Sequence, residues 1–389
     1  MSGTIAVIVG TRPEGVKLAP VIQELQRRPG VRPLVISTGQ HREMLAQALA
    51  VFDVEPHVDL SVMMPGQTLH DVTTRTLERI RPVLEKERPD WVVVQGDTTT
   101  AFAAALAAFY EKLPVAHVEA GLRSGQVYSP FPEELNRRLV DQLSHVLFAP
   151  TEKARDLLLR EGFSPDSVHV TGNTVVDALL AARDVLSRAP VTIDGLDPSE
   201  LEDRRMILVT AHRRESFGAS FESMCRALLR IVEAEPDTFL VYPVHLNPNV
   251  DGPVRRLLGH HPRIALLQPV GYLQFVWLME RAHLVLTDSG GVQEEAPTFH
   301  KPILVMREVT ERPEGIEAGV AVLVGTKEEN IVAEATHLLR DAHAYQRMAR
   351  GVNPYGDGTA SRRIVDVLAG PRQSVRSSRL VTAPEASIP

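Results

Sequence analysis

Three acidic stretches stand where apolar runs give way to polar turns. Asp97 follows "WVVVQG", Glu119 follows "VAHV", and Glu133 and Glu134 follow "YSPFP". Two of these lie at predicted strand ends and one at a loop-to-helix start, a constellation suited to proton transfer, because one carboxyl can hold a proton while another accepts one. Pro132 precedes the Glu pair, so one of the two can simply complement the helix dipole. His212 ends "RMILVTAH" and is followed by Arg213 and Arg214; it could donate to a leaving phosphate or shuttle a proton, or serve as a plain structural hydrogen-bonder. In "TDSGGVQEEAP", residues 287–297, Ser289, Gly290 and Gly291 stand between a buried-type strand and a helix start, where amides and a hydroxyl can approach a diphosphate closely. Glu294 or Glu295 could then accept hydrogen bonds from a ribose diol.

A second anion-type turn lies in "IAVIVGTRPEGVKLAP", residues 5–20. Gly10 and Gly15 have P-loop spacing, but the Gly-Lys-Ser/Thr of that motif is missing, and no hydroxyl is placed for Mg²⁺. Thr11 and Glu14 stand at capping-box spacing with Pro13 near the first helical position, so a helix start with Arg12 and Lys17 is expected to attract an anion without a metal. No G-x-G-x-x-G and no Asp-x-Asp occurs. The His117-x-Glu119 pair lacks the Pro-Cys-x-x-Cys that a zinc deaminase needs.

Positioning these groups requires strands and helices in alternation. Strand-like runs begin at residues 5, 32, 91, 115, 146 and 167, and again at 205, 238, 264, 284, 302 and 320, with helical periodicity between them, as over 67–86. Unbroken Val/Ile runs suit parallel strands buried on both faces, so the fold class is α/β with two doubly wound parallel-sheet, Rossmann-like domains. The expected organisation is a first domain over 1–173, completed by a C-terminal helix within 354–370, and a second over 174–353. "SRAPVTIDGLDPSELED" reads as a linker, 328–349 as one long helical stretch, and 371–389 as a disordered tail.

Bulk properties narrow the function classes. A net charge of -7 argues against a nucleic-acid or anionic-membrane surface. Cys225 is the one cysteine, which excludes an internal disulfide and a multi-Cys metal site. With no basic leader and its most apolar run, "TAFAAALAAF", about half a membrane span, the chain is expected to be cytoplasmic.

The motifs "GTRPE", "TGQHREML", "GDTTT", "HVEAGLRSG", "YSPFPEELNR", "VTGNTVVDALL", "HRRESFG", "YPVHLNPNV", "TDSGGVQEEAP", "ERPEG" and "NPYGDGTASRRI" together resemble the non-hydrolysing bacterial UDP-N-acetylglucosamine 2-epimerases, from about residue 5 to 368. The resemblance implies a GT-B fold with the active site in the interdomain cleft, usually in a homodimer. It implies reversible conversion of UDP-GlcNAc to UDP-ManNAc for surface polysaccharides, through UDP elimination to a 2-acetamidoglucal and re-addition, with no NAD and no obligatory metal. Carried over by position, it makes Asp97, Glu119 and Glu133 the acid/base residues and His212 the group facing UDP. Arg12, Ser289, Gly290 and Gly291 would hold the diphosphate, Glu295 the ribose, with Lys17 and Arg137 as helpers.

Some members are activated by a second UDP-GlcNAc, and Gln40, His41, Gln67, Arg213 and His245 match that site. Glu43 and Gly66 depart from it, however, and Gln95 stands where many members have His. Three other readings share parts of this pattern: a hydrolysing epimerase, a GT-B glycosyltransferase, and a nucleotide-sugar sensor without turnover. A transferase typically needs one base and an acceptor groove, so three candidate acids count against it, and a sensor has no use for Asp97, Glu119 and Glu133 together.

Overall fold

The computed structural model describes residues 3–39, 42–188 and 190–370. The tail expected at 371–389, like Gln40 and His41, lies outside them. The chain divides into two compact units, one reaching to Ala178 and resuming at Gly356, the other Leu179–Tyr355. The division falls inside the helix Thr174–Leu186.

Seven strands build the first sheet: β1 Gly3–Val9, β2 Val31–Ser37, β3 Val58–Asp59, β4 Trp91–Gln95, β5 Val115–Val118, β6 Val146–Ala149 and β7 Val168–Val170. They run in the order β3-β2-β1-β4-β5-β6-β7, all parallel. Every residue of β4 and β5 is buried, so both read as largely apolar, with Gln95 closing β4 and His117 inside β5. β3 is a two-residue pairing that the sequence pattern misses, since Val58–Asp59 has no run to detect.

The second unit repeats the scheme with β8 Arg205–Thr210, β9 Thr238–Pro243, β10 Ile264–Leu267, β11 Leu284–Thr287, β12 Ile303–Val305 and β13 Ala321–Leu323, in the parallel order β10-β9-β8-β11-β12-β13. Strand alternation serves two cores. Ile207, Val209, Leu284 and Leu286 face a layer with Phe221, Leu228 and Ile331, while Met206, Leu208 and Val285 face Val276, Leu278 and Phe299.

Two local expectations change. The stretch read as a linker is packed: Ile193 and Leu196 are buried in the second of those cores. The long helix over 328–349 is two helices, Glu328–Arg340 and Ala342–Ala349, because the Asp341 side chain turns back to accept from the amides of His343 and Ala344 and so starts a new helix. The helix Ala360–Leu368 packs on Arg12–Arg27 in the first unit. The Asp177 carboxylate holds its start, accepting from the Ala360 and Ser361 amides at 3.2 and 2.8 Å. Among the described residues no helix is long and apolar enough to cross a membrane.

Both sheets reverse their strand order once, between β1 and β4 and between β8 and β11. Turns at the carboxyl ends of strands beside such a reversal are where open α/β sheets place their ligands. The turns carrying Arg12, Asp97, His212 and Ser289 follow these strands, and the Glu119 turn follows the next one, β5.

Candidate functional site

In the first unit, the turn after β1 is organised by a buried acid. Thr11 caps the helix Arg12–Arg27 and Glu14 completes the capping box. One Glu14 carboxylate oxygen accepts from the amides of Gly10 and Thr11 at 2.8 and 2.6 Å, and the other from the Thr98 hydroxyl at 2.6 Å. Burial pushes this carboxyl up, against the pull of those donors. Gly10 is required by crowding: a Cβ there would sit 2.6 Å from both the Thr38 and Thr100 hydroxyls. This corrects the sequence expectation for the turn. Its Gly10 and Thr11 amides are taken by Glu14, so what it offers an anion is the exposed side chain of Arg12 at the helix start.

The acids lie on the neighbouring turns, after β4 and β5. Glu119 has a left-handed backbone (φ 69°), uncommon for a residue with a side chain. Its carboxylate is held by Lys17 Nζ at 2.8 and 2.6 Å and by the Gln95 amide. Gly96, also left-handed, turns the chain so that Asp97 meets Arg137, whose Nε donates to Oδ2 at 3.1 Å. Asn136 donates to the Asp97 carbonyl at 2.9 Å. His117, wholly buried, sets Nε2 2.9 Å from the Gly96 carbonyl and Nδ1 2.6 Å from Asp141, and Asp141 also accepts from Arg123 at 2.7 Å. Asn136, Arg137 and Asp141 all come from the helix Glu133–Leu143, which therefore clamps the β4 and β5 turns.

That helix also separates the two glutamates left open above. Glu134 is buried and fully engaged, accepting from the Ser124 amide at 2.9 Å and from Arg138 at 3.0 and 2.6 Å, with Arg137 at 3.3 Å. Burial alone would raise its carboxyl, but the Ser124 amide and the two arginines hold it below the usual range. Glu133 is half-buried and makes no hydrogen bond or ion pair with any described residue. Glu134 thus has a structural position and Glu133 an available carboxylate. Lys17 and Arg137, expected as helpers at the substrate, are paired with Glu119 and Asp97.

In the second unit the turns after β8, β9 and β11 come together. The His212 and Arg213 amides both donate to Asp288 Oδ2 at 2.7 Å. The Ala211 carbonyl accepts from the buried Tyr242 hydroxyl at 2.5 Å. His212 stacks on His245, the ring centroids 5.3 Å apart and 10° from parallel. Burial pushes the His212 imidazole down and the Asp288 carboxyl up, while each partly offsets the other's shift. Ser289 caps the helix Gly290–Glu295 by position, its hydroxyl bonding none of that helix's amides. A Cβ on Gly290 would lie 3.7 Å from an Arg213 nitrogen. Hydroxyl, glycine amides, guanidinium and imidazole therefore gather at one helix start.

Of the two candidates for a ribose contact, Glu294 is buried and bound by Arg312, whereas Glu295 is half-buried. Of the residues matched to a second-substrate site, Arg213 and His245 both adjoin His212, and Gln67 is tied into its own loop, accepting from the Met64 amide and Arg75 at 2.8 and 3.1 Å. Asp288, Tyr242 and Asn136 are not among the sequence candidates, and His117 enters there only as a rejected zinc-motif residue. The signal for Asp288 was available, as the first charged residue after the buried strand Leu284–Thr287 beside the sheet's reversal.

Comparison with known proteins agrees over nearly the whole chain. The family model described as UDP-N-acetylglucosamine 2-epimerase matches residues 23–369. The chain is 51% identical to the UDP-N-acetylglucosamine 2-epimerase of Salmonella typhimurium over 378 residues, covering 95% of this chain and 100% of that one. Against the Escherichia coli enzyme of the same name the identity is 50%, with the same coverage. Among solved structures, the UDP-GlcNAc 2-epimerase of Neisseria meningitidis bound to UDP-GlcNAc superposes with a TM-score of 0.86 at 45% identity, covering 94% of this chain and 99% of that one. The fold shared with it is GT-B, two Rossmann-like parallel-sheet domains.

Proposed function

The chain belongs to the UDP-N-acetylglucosamine 2-epimerase family and has that family's activity, and from that premise we propose that it interconverts UDP-GlcNAc and UDP-ManNAc without hydrolysis. The observation that carries this reading is the first unit's carboxylate cluster: Asp97 and Glu119 each held by a cation on adjacent strand-end turns, with Glu133 left unpaired on the helix that clamps them.

The chemistry follows from the substrate. In the α-linked gluco sugar the C2 hydrogen and the C1 diphosphate are both axial and anti, so elimination gives a 2-acetamidoglucal and UDP. No carbonyl activates the C2 hydrogen, so the proton cannot leave first, and the barrier falls by stabilising diphosphate departure. Ser289, Gly290, Gly291, Arg12 and His212 are the donors for that step, at roughly 2–4 kcal/mol for each well-aimed one, with Glu295 on the ribose. A carboxylate among Asp97, Glu119 and Glu133 takes the proton, adding about 10²- to 10⁴-fold. Re-addition of UDP with protonation from the other face gives the manno epimer, which calls for an acid on each side of the ring. Lys17 and Arg137 serve this step by holding Glu119 and Asp97.

The scheme is redox-neutral and begins and ends with the same bonds, so it asks for neither a nicotinamide nor a metal. The reading extends to a homodimer in the cytoplasm that supplies ManNAc for surface polysaccharide, and to UDP-GlcNAc as activator at Arg213 and His245. NMR of the purified protein with UDP-GlcNAc in D₂O tests its core. Expected is UDP-ManNAc with deuterium at C2 and no accumulating free sugar; free ManNAc with UDP would overturn the non-hydrolytic step.

A further inference from the structure

Asp288 is wholly buried, yet only half of its carboxylate is used. Oδ2 takes the His212 and Arg213 amides, whereas Oδ1 has no hydrogen-bond partner among the described residues. A buried carboxylate oxygen without a donor is costly, and native structures keep such atoms where something else needs them. The group nearest in kind is His212 Nδ1, 3.8 Å away. That is longer than a hydrogen bond, but bonds of this type commonly tighten only when the substrate is bound.

The peptide beneath the imidazole is fixed from both sides, by Asp288 on the amides and Tyr242 on the Ala211 carbonyl. Ring rotation is therefore the freedom that remains. The charged and titratable groups around the ring are Asp288 beneath it, His245 stacked on it, and Arg213 and Glu215 from the same turn. Of these, Asp288 is the acceptor facing Nδ1.

We propose that Asp288 is a positioning residue for His212: its free oxygen receives Nδ1–H, so that Nε2 is the nitrogen turned toward the departing diphosphate. The proposal rests on the reading that His212 faces UDP. When a second proton is present, the carboxylate supports the imidazolium, and Nε2–H is donated to the phosphate oxygen. A carboxylate set behind an imidazole acts this way wherever it fixes both tautomer and orientation.

Asp288→Asn separates this role from packing. The Asn carbonyl oxygen can still accept both backbone amides, but its NH₂ then faces Nδ1 as a donor and calls for the opposite tautomer. Expected from ¹⁵N-edited NMR of His212 is a change from the Nδ1–H to the Nε2–H form with a lower titration midpoint. Turnover should fall by about 10- to 100-fold, with the affinity for UDP within about threefold. In a His212→Ala background the same substitution should cost less than about threefold further, since its path is gone. An unchanged tautomer and midpoint would overturn the pairing, as would the full loss recurring in the His212→Ala background. A tautomer switch combined with a fully active His212→Ala protein would uphold the pairing and overturn the role of His212 itself.

Discussion

The two units place polar turns at equivalent points of similar sheets and charge them in opposite ways. In the first unit nearly every carboxylate near the reversal already has its counter-charge: Glu119 with Lys17, Asp97 with Arg137, Glu134 with Arg137 and Arg138, Asp141 with Arg123. In the second, Asp288 holds backbone amides, Ser289 caps nothing on its own helix, and Arg213 forms no ion pair with a described residue. The first arrangement presets geometry for a proton that comes and goes, because the charge created or lost already has a neighbour to answer it. The second leaves donors open, so an arriving anion breaks no existing pair.

The sharpest break in this contrast lies within the first unit. Glu133→Gln is expected to lower kcat by roughly 10²- to 10⁴-fold while leaving the melting temperature at the parent value, because no partner is lost. Asp97→Asn and Glu119→Gln are expected to match that loss of rate and also to cost about 1–3 kcal/mol of stability, since Arg137 and Lys17 lose their counter-charges. Steady-state kinetics beside thermal melts would read both. Equal destabilisation in all three, or a fall in UDP affinity that tracks the rate, would erase the distinction between an available and an engaged acid.

A smaller effect on rate and a clear one on folding should mark Glu134→Gln: about 2–4 kcal/mol lost and less than about tenfold in kcat. The depressed carboxyl gives this loss a pH signature. Its contribution is complete above the ordinary carboxylate pKa and disappears as the pH falls through the lowered one, so parent and variant should converge in denaturant titrations as the pH is taken below the ordinary carboxylate range. Convergence on raising the pH would be the wrong sign and would sink the assignment. The smallest expected change is in the second unit. Ser289→Ala should weaken UDP by about 2- to 10-fold, the worth of one hydrogen bond, at unchanged stability; titration calorimetry decides it, and an unaltered affinity would remove the hydroxyl from the anion site.

How far these features were legible follows from what each depends on. Strands such as 91–95 and 284–287 could be read directly, because burial on both faces leaves a run that is apolar up to its last residue. The two-residue β3 left no pattern, and the break at Asp341 turns on one side chain's choice to cap. The positions of the acids were legible as strand-end residues. Their partners were not: Lys17 and Glu119 are 102 residues apart, Arg137 and Asp97 are 40 apart, and only the sheet order brings each pair together. The Thr11–Glu14 pair could be read as a capping box, but Thr98 closing the same carboxylate from the next strand's turn could not.

The last described helix carries a consequence for how the molecule is made. Its start is held by Asp177 and its flank by Arg28, so the first unit is written in two pieces of the gene with the whole second unit between them. As the chain leaves the ribosome, the second unit has all its residues before the first one does. The first-made sheet must therefore wait with a helix-sized gap in its outer layer, to be closed only when the residues from Gly356 onward emerge.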